Sequence, residues 1–478
     1  MLIIHAALLA LAAGRLPDPT PSPAPAGLPG GFAPEAERSL RRVVIGLQPN
    51  ETNLLMVPET AAWDPKTKDP RVRWLRRQLY GLNFELEHGQ IFRHSPPHTR
   101  FFVAVPDPAT TPESLGNEEA VFREHLKERV GWSDKVIDER VRFFPVPEPV
   151  PFPQDMAEPI GYDENGRLVL GIGTDADEHY RRAVDRLVAA SPNDFVRVRL
   201  PDVNTEGGDL ALVRLPEGGV GLLVGYNRVL RWVLRHYPET VPGAPTPKAR
   251  VEEARRAYQK AFGGIETIVI GGEALADPRL VNPEIFHLDM LVAVLRTPSG
   301  VVAFVPTYEG SPVDAISHSR LAAADVRRFQ AEYDRTARQL SARGYRVARV
   351  PFADHPARNP VGIGKFVDPA TGRPTVVLGR YPEHLADSDD RNAQTQLQLA
   401  FQALDAVVAV WRHQPTESRW KAVQAAVRAV WRQMDVAVAA PNPLFESQRR
   451  VYESFGIGVL SLPIFPTGEG GVHCLLLK

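Results

Sequence analysis

The sequence predicts an α/β protein, because short apolar runs rich in β-branched residues alternate along the chain with longer amphipathic stretches. Three units repeat a finer plan. In each, an acidic or histidine-containing motif leads into a strand, a tight polar turn follows, and a second strand precedes a helix. The 478 residues are 44% hydrophobic and 24% charged, which is ordinary for a soluble globular protein with a large core.

The elements follow from length, composition and period. The runs predicted as strands are Arg42–Leu47, Phe101–Val105, Val141–Phe144, Arg167–Ile172, Phe195–Leu200, Ile265–Ile270, Val301–Val305, Tyr345–Val350, Thr375–Gly379, Val436–Ala440 and Ile457–Ser461. The predicted helices are Glu119–Val141, Glu178–Ala190, Lys248–Phe262, Ala322–Arg343, Asn392–Trp411, Ser418–Met434 and Leu444–Phe455.

The three repeated units predict hairpins, because their turns carry glycine where φ must become positive. The turns are Asp163–Gly166, Pro216–Gly219 and Thr297–Gly300. The polar residues that precede them are Asp155 for the first hairpin, Glu206 and Asp209 for the second, and His287 and Asp289 for the third. Repeated units with polar groups at equivalent positions favour pseudo-symmetric packing around a central axis, which would gather these residues at one mouth.

The two ends of the chain differ in composition from its body. Residues 1–14 are apolar and too short to span a bilayer, and they fit the apolar core of a secretory signal, although no Lys or Arg precedes them. Residues 15–34 are rich in Pro, Ala and Gly and are predicted to be a linker. We therefore expect a secreted or periplasmic protein, or a cytoplasmic one if the first segment is not a signal. Residues 35–478 would form the folded domain, with a helical insertion near 389–434.

Composition excludes several classes of function. The net charge is −1, from 56 basic and 57 acidic residues, which argues against a general nucleic-acid binder. A single cysteine permits neither an internal disulfide nor a thiolate-rich zinc site. Glycine-rich phosphate loops are absent from the sequence, and we expect no cofactor and no metal.

Each candidate site residue also has a purely structural interpretation. Cys474 could be a small buried hydrophobe, but the glycines just before it permit close backbone approach. His287 and Asp289, two residues apart, are predicted to share one face of a strand. They would form either a buried structural pair or part of a functional site. Burying both groups amid apolar neighbours is costly, which favours a site. The Glu206–Asp209 motif alone could be a surface turn, and Asp155 alone could be a loop charge.

The combination of motifs is more specific. In chain order, Phe-Pro-Gln-Asp-Met at 152–156, Asn-Thr-Glu-Gly-Gly-Asp at 204–209, Phe-His-Leu-Asp-Met at 286–290 and Gly-Gly-Val-His-Cys at 470–474 resemble the guanidine-modifying (pentein) superfamily. The resemblance covers Pro151 to Lys478. The terminal His473-Cys474 is most similar to the agmatine deiminase and peptidyl-arginine deiminase group.

The resemblance implies a pseudo-fivefold α/β propeller of ββαβ-type units. It also implies a deiminase, which converts a guanidinium group to a ureido group plus ammonia through a covalent thiouronium on Cys474. In that mechanism His287 transfers protons, Glu206 orients His287, and Asp155 and Asp289 bind the guanidinium. Asp209 is expected to be a supporting acid behind them.

The sequence is compatible with more than one substrate and more than one reaction class. Residues 152–154 depart from the Trp-x-Arg pattern that precedes the aspartate in agmatine deiminases, and export would place the enzyme among proteins. We therefore expect an arginine side chain in a peptide or protein as substrate. The alternatives are deimination of agmatine or free arginine, amidino transfer, and a catalytically silent arginine-binding domain. No nucleic-acid partner and no stable membrane span are expected.

Overall fold

The structure is a computed structural model. The residues it describes are 32–46, 67–84, 88–111, 116–150, 153–237, 246–271, 285, 287–311, 321–353, 356, 359–368, 371–380, 388–440 and 442–462. The predicted signal segment, most of the predicted linker, and Cys474 with the glycines before it lie outside the described residues.

The described strands form five three-stranded sheets, in the orders β1-β2-β3, β4-β5-β6, β7-β8-β9, β10-β11-β12 and β13-β14-β15. In the last four sheets an antiparallel hairpin is followed by a third strand parallel to its second. In the first sheet all three strands are parallel. The strands are β1 Arg42–Gly46, β2 Arg100–Pro106, β3 Val141–Val146, β4 Glu158–Tyr162, β5 Leu168–Gly173, β6 Phe195–Leu200, β7 Leu210–Arg214, β8 Val220–Gly225, β9 Glu266–Ile270, β10 Ala293–Thr297, β11 Gly300–Thr307, β12 Arg346–Pro351, β13 Gly364–Val367, β14 Pro374–Gly379 and β15 Gly458–Leu462.

Eleven α-helices lie in the described segments, which confirms the α/β class. They are α1 Pro70–Phe84, α2 Gln90–His94, α3 Glu118–His125, α4 Asp134–Arg140, α5 Glu178–Ala190, α6 Tyr226–His236, α7 Pro247–Ala261, α8 Ala323–Ser341, α9 Ser388–His413, α10 Glu417–Ala439 and α11 Pro443–Ser454. Among these helices, none combines the length and the apolar character needed to cross a bilayer.

The three predicted hairpins are confirmed as β4–β5, β7–β8 and β10–β11. Their turns use glycine in the left-handed region, with φ of 73° at Gly166, 76° at Gly219 and 113° at Gly300. A fourth hairpin, β13–β14, has the same form and was predicted only in its second strand.

Two secondary-structure predictions are wrong. Val436–Ala440 is not a strand, because α10 continues to Ala439 and buries Met434 and Ala437 on its inner face. The single helix predicted over Glu119–Val141 is interrupted. A π-helical turn ends at Gly131, whose φ is 79°, and α4 begins afresh after Ser133, whose side chain accepts a hydrogen bond from the backbone N–H of Val136.

A third prediction is wrong in its geometry. His287 and Asp289 do not lie on a strand. His287 is in extended backbone, and Leu288–Met290 form a 3₁₀ turn that precedes β10. Alternation of faces along a strand therefore does not govern where the two side chains point.

The buried apolar residues form clusters that join one sheet to another. One further cluster joins α1 to α9 and α10. The inter-sheet clusters include Val44 with Leu170 for the first and second sheets, Val169 with Leu212 for the second and third, Val213 with Val294 for the third and fourth, Phe304 with Val376 for the fourth and fifth, and Val43 with Val377 for the first and fifth.

The segment before β1 connects two of these sheets. The backbone N–H of Ala33 donates to the carbonyl oxygen of Ile160 in β4 at 3.2 Å, and Ser39 forms a parallel bridge with Val367 in β13. The Arg38 side chain donates to the carbonyl oxygen of Pro159 at 2.9 Å. The first described residues therefore tie the second sheet to the fifth.

Several buried ionisable side chains lie next to this N-terminal segment. Glu158, at the start of β4, is 3% exposed, and its Oε2 accepts no hydrogen bond from the described residues. Burial raises its pKa to about 8, Arg38 and Lys365 act in the opposite direction, and Glu35 acts with burial. Lys365 forms an ion pair of 3.3 Å with Glu35.

Candidate functional site

The polar motifs are brought together by three short 3₁₀ helices, Pro153–Met156, Gly207–Asp209 and Leu288–Met290. Each precedes the first strand of a hairpin, namely β4, β7 or β10. The second of these 3₁₀ helices contacts both of the others. The equivalent position in three repeated units therefore places acidic side chains from distant parts of the chain in one region.

The glycines of the Glu-Gly-Gly-Asp motif allow this approach. A Cβ atom on Gly207 would lie 2.3 Å from the carbonyl oxygen of Gln154. A Cβ atom on Gly208 would lie 2.4 Å from Nδ1 of His287. Real Cβ contacts are longer than either distance, so both positions require glycine for the segments to pack as they do. The motif that could have been a surface turn is instead buried between two neighbours.

His287 and Glu206 form the central contact of the site. Nε2 of His287 lies 2.9 Å from Oε1 of Glu206, and the His287 residue is 7% exposed. Burial opposes ionisation of Glu206, but the hydrogen bond with His287 and the charges of Arg228 and Arg231 lower its pKa to about 2. Glu206 is therefore an anion near neutral pH, and an anion in this position stabilises the protonated imidazole and fixes its orientation.

Asp155 and Asp289 lie beside this pair, and both are buried. Burial raises the pKa of Asp155 to about 7, the charges of Glu206 and Asp289 act in the same direction, and that of His287 opposes them. Oδ1 of Asp155 accepts no hydrogen bond from the described residues. A buried carboxyl oxygen without a donor is suited to a ligand that brings its own N–H groups.

Arg228 is a site residue that the sequence interpretation missed. It lies on the buried face of α6, with Val229 and Trp232. Its Nε donates to Oδ2 of Asp209 at 2.8 Å, and it also forms an ion pair with Glu206. Although burial opposes it, the charges of these two carboxylates raise the pKa of Arg228 above its ordinary value. One fixed cation therefore holds both acids of the Glu-Gly-Gly-Asp motif.

Asp209 has the contacts of a positioning group. Its Oδ1 accepts a hydrogen bond from the backbone N–H of Leu288 at 3.0 Å, beside His287. Burial raises its pKa, and Arg228 opposes that shift. A Cβ atom on Gly225 would lie 2.1 Å from the same Oδ1, so glycine at the end of β8 makes room for the carboxylate.

The missed arginine had one sequence signal. The motif Asn204–Asp209 offers two acids and an amide in a segment that must be buried, and such a group needs a buried cation. Arg228 is the first basic residue after the second strand of the same hairpin, and it also donates to Oδ1 of Asn204 at 2.9 Å. From the sequence alone, Arg228 cannot be distinguished from the other arginines of amphipathic helices.

The site carries an excess of acidic groups. Among the described residues of the site, the carboxyl groups are those of Asp155, Glu206, Asp209 and Asp289, and one buried guanidinium, that of Arg228, faces them. In a poorly solvated environment this excess favours a cationic ligand, which would lower the cost of ionising Asp155.

Three of these groups also have the chemistry of metal ligands. One ligand atom from each of Asp155, Glu206 and His287 lies within 4.8 Å of the others. The Nε2 atom of His287 and Oε1 of Glu206 are hydrogen-bonded to each other, and the other oxygen of Glu206 is paired with Arg228. A metal bound through those atoms would have to break the His287–Glu206 contact, so the donor set fits an organic cation better than a metal.

Of the six site residues predicted from the sequence, five lie among the described residues. The structure brings Asp155, Glu206 and His287 together, with Asp209 bonded beside them. Asp289 is buried, and its charge acts on Asp155. Cys474 lies outside the described residues, so its convergence with His287 stays a prediction.

Comparisons with known proteins add no relative to this description. Neither the models of known protein families nor the sequences of curated proteins match the chain.

Proposed function

We propose that this protein is a hydrolase of the guanidine-modifying type, a deiminase that converts a guanidinium group to a ureido group and ammonia. The observation that carries the proposal is the hydrogen-bonded pair of His287 and Glu206, set beside the buried carboxyl group of Asp155. A proton-transfer residue next to an unsatisfied acid suits a substrate that is cationic and rich in N–H donors.

The arrangement of the sheets supports a pseudo-fivefold propeller. Five sheets of the same size are present among the described residues, and four of them share one strand order and direction pattern. Apolar clusters join each sheet to the next one along the chain, and a further cluster joins the first sheet to the fifth. In such a ring the segments that precede the hairpins would meet near the axis, which suits the meeting of the three 3₁₀ helices.

The first half-reaction begins with the guanidinium held by Asp155 and Asp289. The Cys474 thiolate attacks the central carbon and forms a C–S bond. The C–N bond to one amino group then breaks, and that nitrogen takes the proton of the His287 imidazolium and leaves as ammonia. The product is a thiouronium on Cys474.

Water completes the reaction. His287, now neutral, removes a proton from water, and the hydroxide adds to the thiouronium carbon. The C–S bond breaks, the thiolate is restored, and the hydroxyl group on the carbon loses its proton to solvent or to the released ammonia, which leaves a ureido group. Glu206 holds the His287 ring in position through both halves and stabilises its protonated form, while Arg228 keeps Glu206 in place.

The substrate we propose is an arginine side chain in a peptide or protein. Arg231 supports this choice, because its side chain is 60% exposed and its Nη1 lies 3.7 Å from Oε2 of Glu206. This exposed cation beside the site disfavours agmatine, which carries a second positive charge at its far end. A blocked peptide has no such charge, and its carbonyl groups can accept hydrogen bonds from Arg231.

The test is an assay for ureido product with a blocked arginine peptide, free arginine and agmatine in one buffer. We expect turnover of the peptide with the highest kcat/KM and no product from Cys474→Ala. The control is Ser454→Ala, an exposed position on α11 outside the four motifs. Near-normal turnover by Cys474→Ala would contradict the mechanism, while a preference for agmatine or free arginine would contradict only the substrate.

The same assay separates the alternative functions. An amidinotransferase would release little ammonia in water and would form a new guanidine when an amine is added. A silent arginine-binding domain would bind the peptide without product. Export is a separate proposal, tested by sequencing the N-terminus of the native protein. A mature chain in the cytosol that still begins at Met1 would contradict it.

A further inference from the structure

A cavity lies at the opposite ends of the strands from the candidate site. Its volume is about 830 Å³, and its lining includes Arg42 and Arg100, the first residues of β1 and β2. It also includes Asp194, whose carbonyl oxygen accepts a hydrogen bond from the N–H of Leu168 at the start of β5. The catalytic segment lies at the other end of β5, because Glu158, three residues after Asp155, pairs with Gly171.

The cavity concentrates guanidinium groups. Arg42 and Arg100 are register partners in the parallel pair β1–β2, so their side chains leave the sheet on the same face. Both bond one oxygen of Asp194, at 3.1 Å and 2.6 Å. Arg41, which is exposed, also lines the cavity. One carboxylate oxygen cannot satisfy the donors of two guanidiniums, each of which carries five N–H groups.

The balance of fixed charge in the cavity is positive. Three arginines, namely Arg41, Arg42 and Arg100, line it against two acids, Asp194 and Asp368. One of the acids is already engaged elsewhere in part, since Asp368 accepts a hydrogen bond from the Thr371 hydroxyl at 2.8 Å. The cavity therefore prefers an anion, and guanidinium forks match the planar or tetrahedral oxygens of carboxylate and phosphate.

Part of the remaining wall is apolar, and the rest of it is formed by the polar residues His94, Ser95, His98 and Thr375. Phe366 of β13 and Leu460 of β15 line the cavity, and Pro96 and Pro97 contribute a second apolar surface. An inorganic ion would leave this surface unused, whereas an organic anion would bury an apolar body against it.

We propose that this cavity binds a small organic oxyanion, a phosphate monoester or a carboxylate with an apolar body, through the guanidiniums of Arg42 and Arg100. Arg41 closes the open side and sets the affinity by its charge. The site is separate from the candidate catalytic residues, so occupancy of one does not require chemistry at the other.

The test is calorimetric titration of the full chain with phenyl phosphate and with phenylacetate, which distinguishes the two oxyanions. Benzyl alcohol and benzylamine are the neutral and cationic controls. The variants are Arg100→Gln and the less intrusive Arg41→Gln, and Arg296→Gln, an exposed arginine on β10, is the matched control.

We expect at least one of the anions to bind, and its affinity to fall about tenfold in Arg41→Gln or Arg100→Gln but not in Arg296→Gln. The proposal is wrong if neither anion binds, if both cavity variants bind as the wild type does, or if the neutral and cationic controls bind equally well. None of these readouts uses enzymatic turnover, so failure here leaves the deiminase proposal unaffected.

Discussion

Nε2 of His287 lies 2.9 Å from Oε1 of Glu206, although 81 residues separate the two along the chain. The contact depends on a third residue, Gly208, which leaves the space that the imidazole occupies. Because Arg228 binds the other oxygen of Glu206, the carboxylate cannot rotate away from the ring without breaking an ion pair. The geometry of the histidine is therefore fixed by its surroundings before any substrate binds.

The first prediction concerns the charge of Glu206. Glu206→Gln keeps the shape of the side chain but removes the anion that stabilises the imidazolium, so we expect kcat to fall by about 10²- to 10⁴-fold. The measurement is steady-state release of ureido product. The control is Glu217→Gln, in the exposed turn between β7 and β8. A kcat within about threefold of the wild type would show that the His287–Glu206 contact has no catalytic role.

The second prediction concerns the missing side chain at Gly208. In Gly208→Ala the new Cβ would lie 2.4 Å from Nδ1 of His287, so the ring must move and kcat should fall by about tenfold or more. Gly166→Ala is the control, since its turn has open space around it but a φ of 73°. That variant should lose stability, by roughly 1 kcal/mol, without losing kcat. Equal kcat values for the two variants would contradict the prediction.

The third prediction concerns Asp155, whose pKa of about 7 means that it is largely protonated in weak acid. A neutral carboxyl group cannot pair with a guanidinium, so affinity for a blocked arginine peptide should weaken about tenfold per pH unit below 7 and level off above it. Binding is measured by calorimetry in Cys474→Ala, which separates it from chemistry.

The control for that titration is Cys474→Ala combined with Asp155→Asn. It should bind weakly at every pH and should lose the step near 7. Proton release on binding at pH 6, detected by comparing buffers of different ionisation enthalpy, would support the same assignment. A constant affinity between pH 5.5 and 8.5 in Cys474→Ala would refute it.

The fourth prediction concerns the stability contributed by Glu158. Its pKa is about 8 in the folded state and near 4.5 when unfolded, so the folded chain holds the proton more tightly. The stabilisation is complete below about pH 4.5 and is lost as pH rises through 8. We expect Glu158→Gln, which stays neutral, to exceed the wild type in unfolding free energy by roughly 1 kcal/mol or more at pH 9.

The measurement for Glu158→Gln is urea denaturation at pH 5 and at pH 9, with the exposed Glu139→Gln as control. The difference between Glu158→Gln and wild type should grow with pH, whereas that for Glu139→Gln should not. A difference that is independent of pH would mean that Glu158 is ionised in the folded protein throughout this range.

The sequence predicted correctly those elements whose conformation depends on residues close to one another in the chain. The hairpins were predicted because glycine in the turns permits a positive φ that most side chains resist, as at Gly166 and Gly300. Val436–Ala440 was misread because its two valines suit a strand, whereas its three alanines favour the helix that is observed and Ala437 packs against other helices.

Most residues of the candidate site could be predicted from the sequence, but the buried side chains that contact them could not. Asp155, Glu206 and His287 could be chosen from chemistry and motif order, and the resemblance to a family supplied their roles. Arg228 and Glu158 were missed because a buried ionisable group is recognisable only from what surrounds it, and those surroundings come from distant segments. The strand predicted at His287 failed for the same reason, since the 3₁₀ turn there is stabilised by Asp209 from another unit.

The bridge between Ser39 and Val367 has a consequence for the order of folding. Residues made first in synthesis find this partner only after more than three hundred further residues have been added. Closing so long a loop is slow, and the contact gives no stabilisation until the fifth sheet exists. We expect Ser39 to remain without this partner until Val367 has been made, and its segment to be among the last protected from hydrogen exchange during refolding.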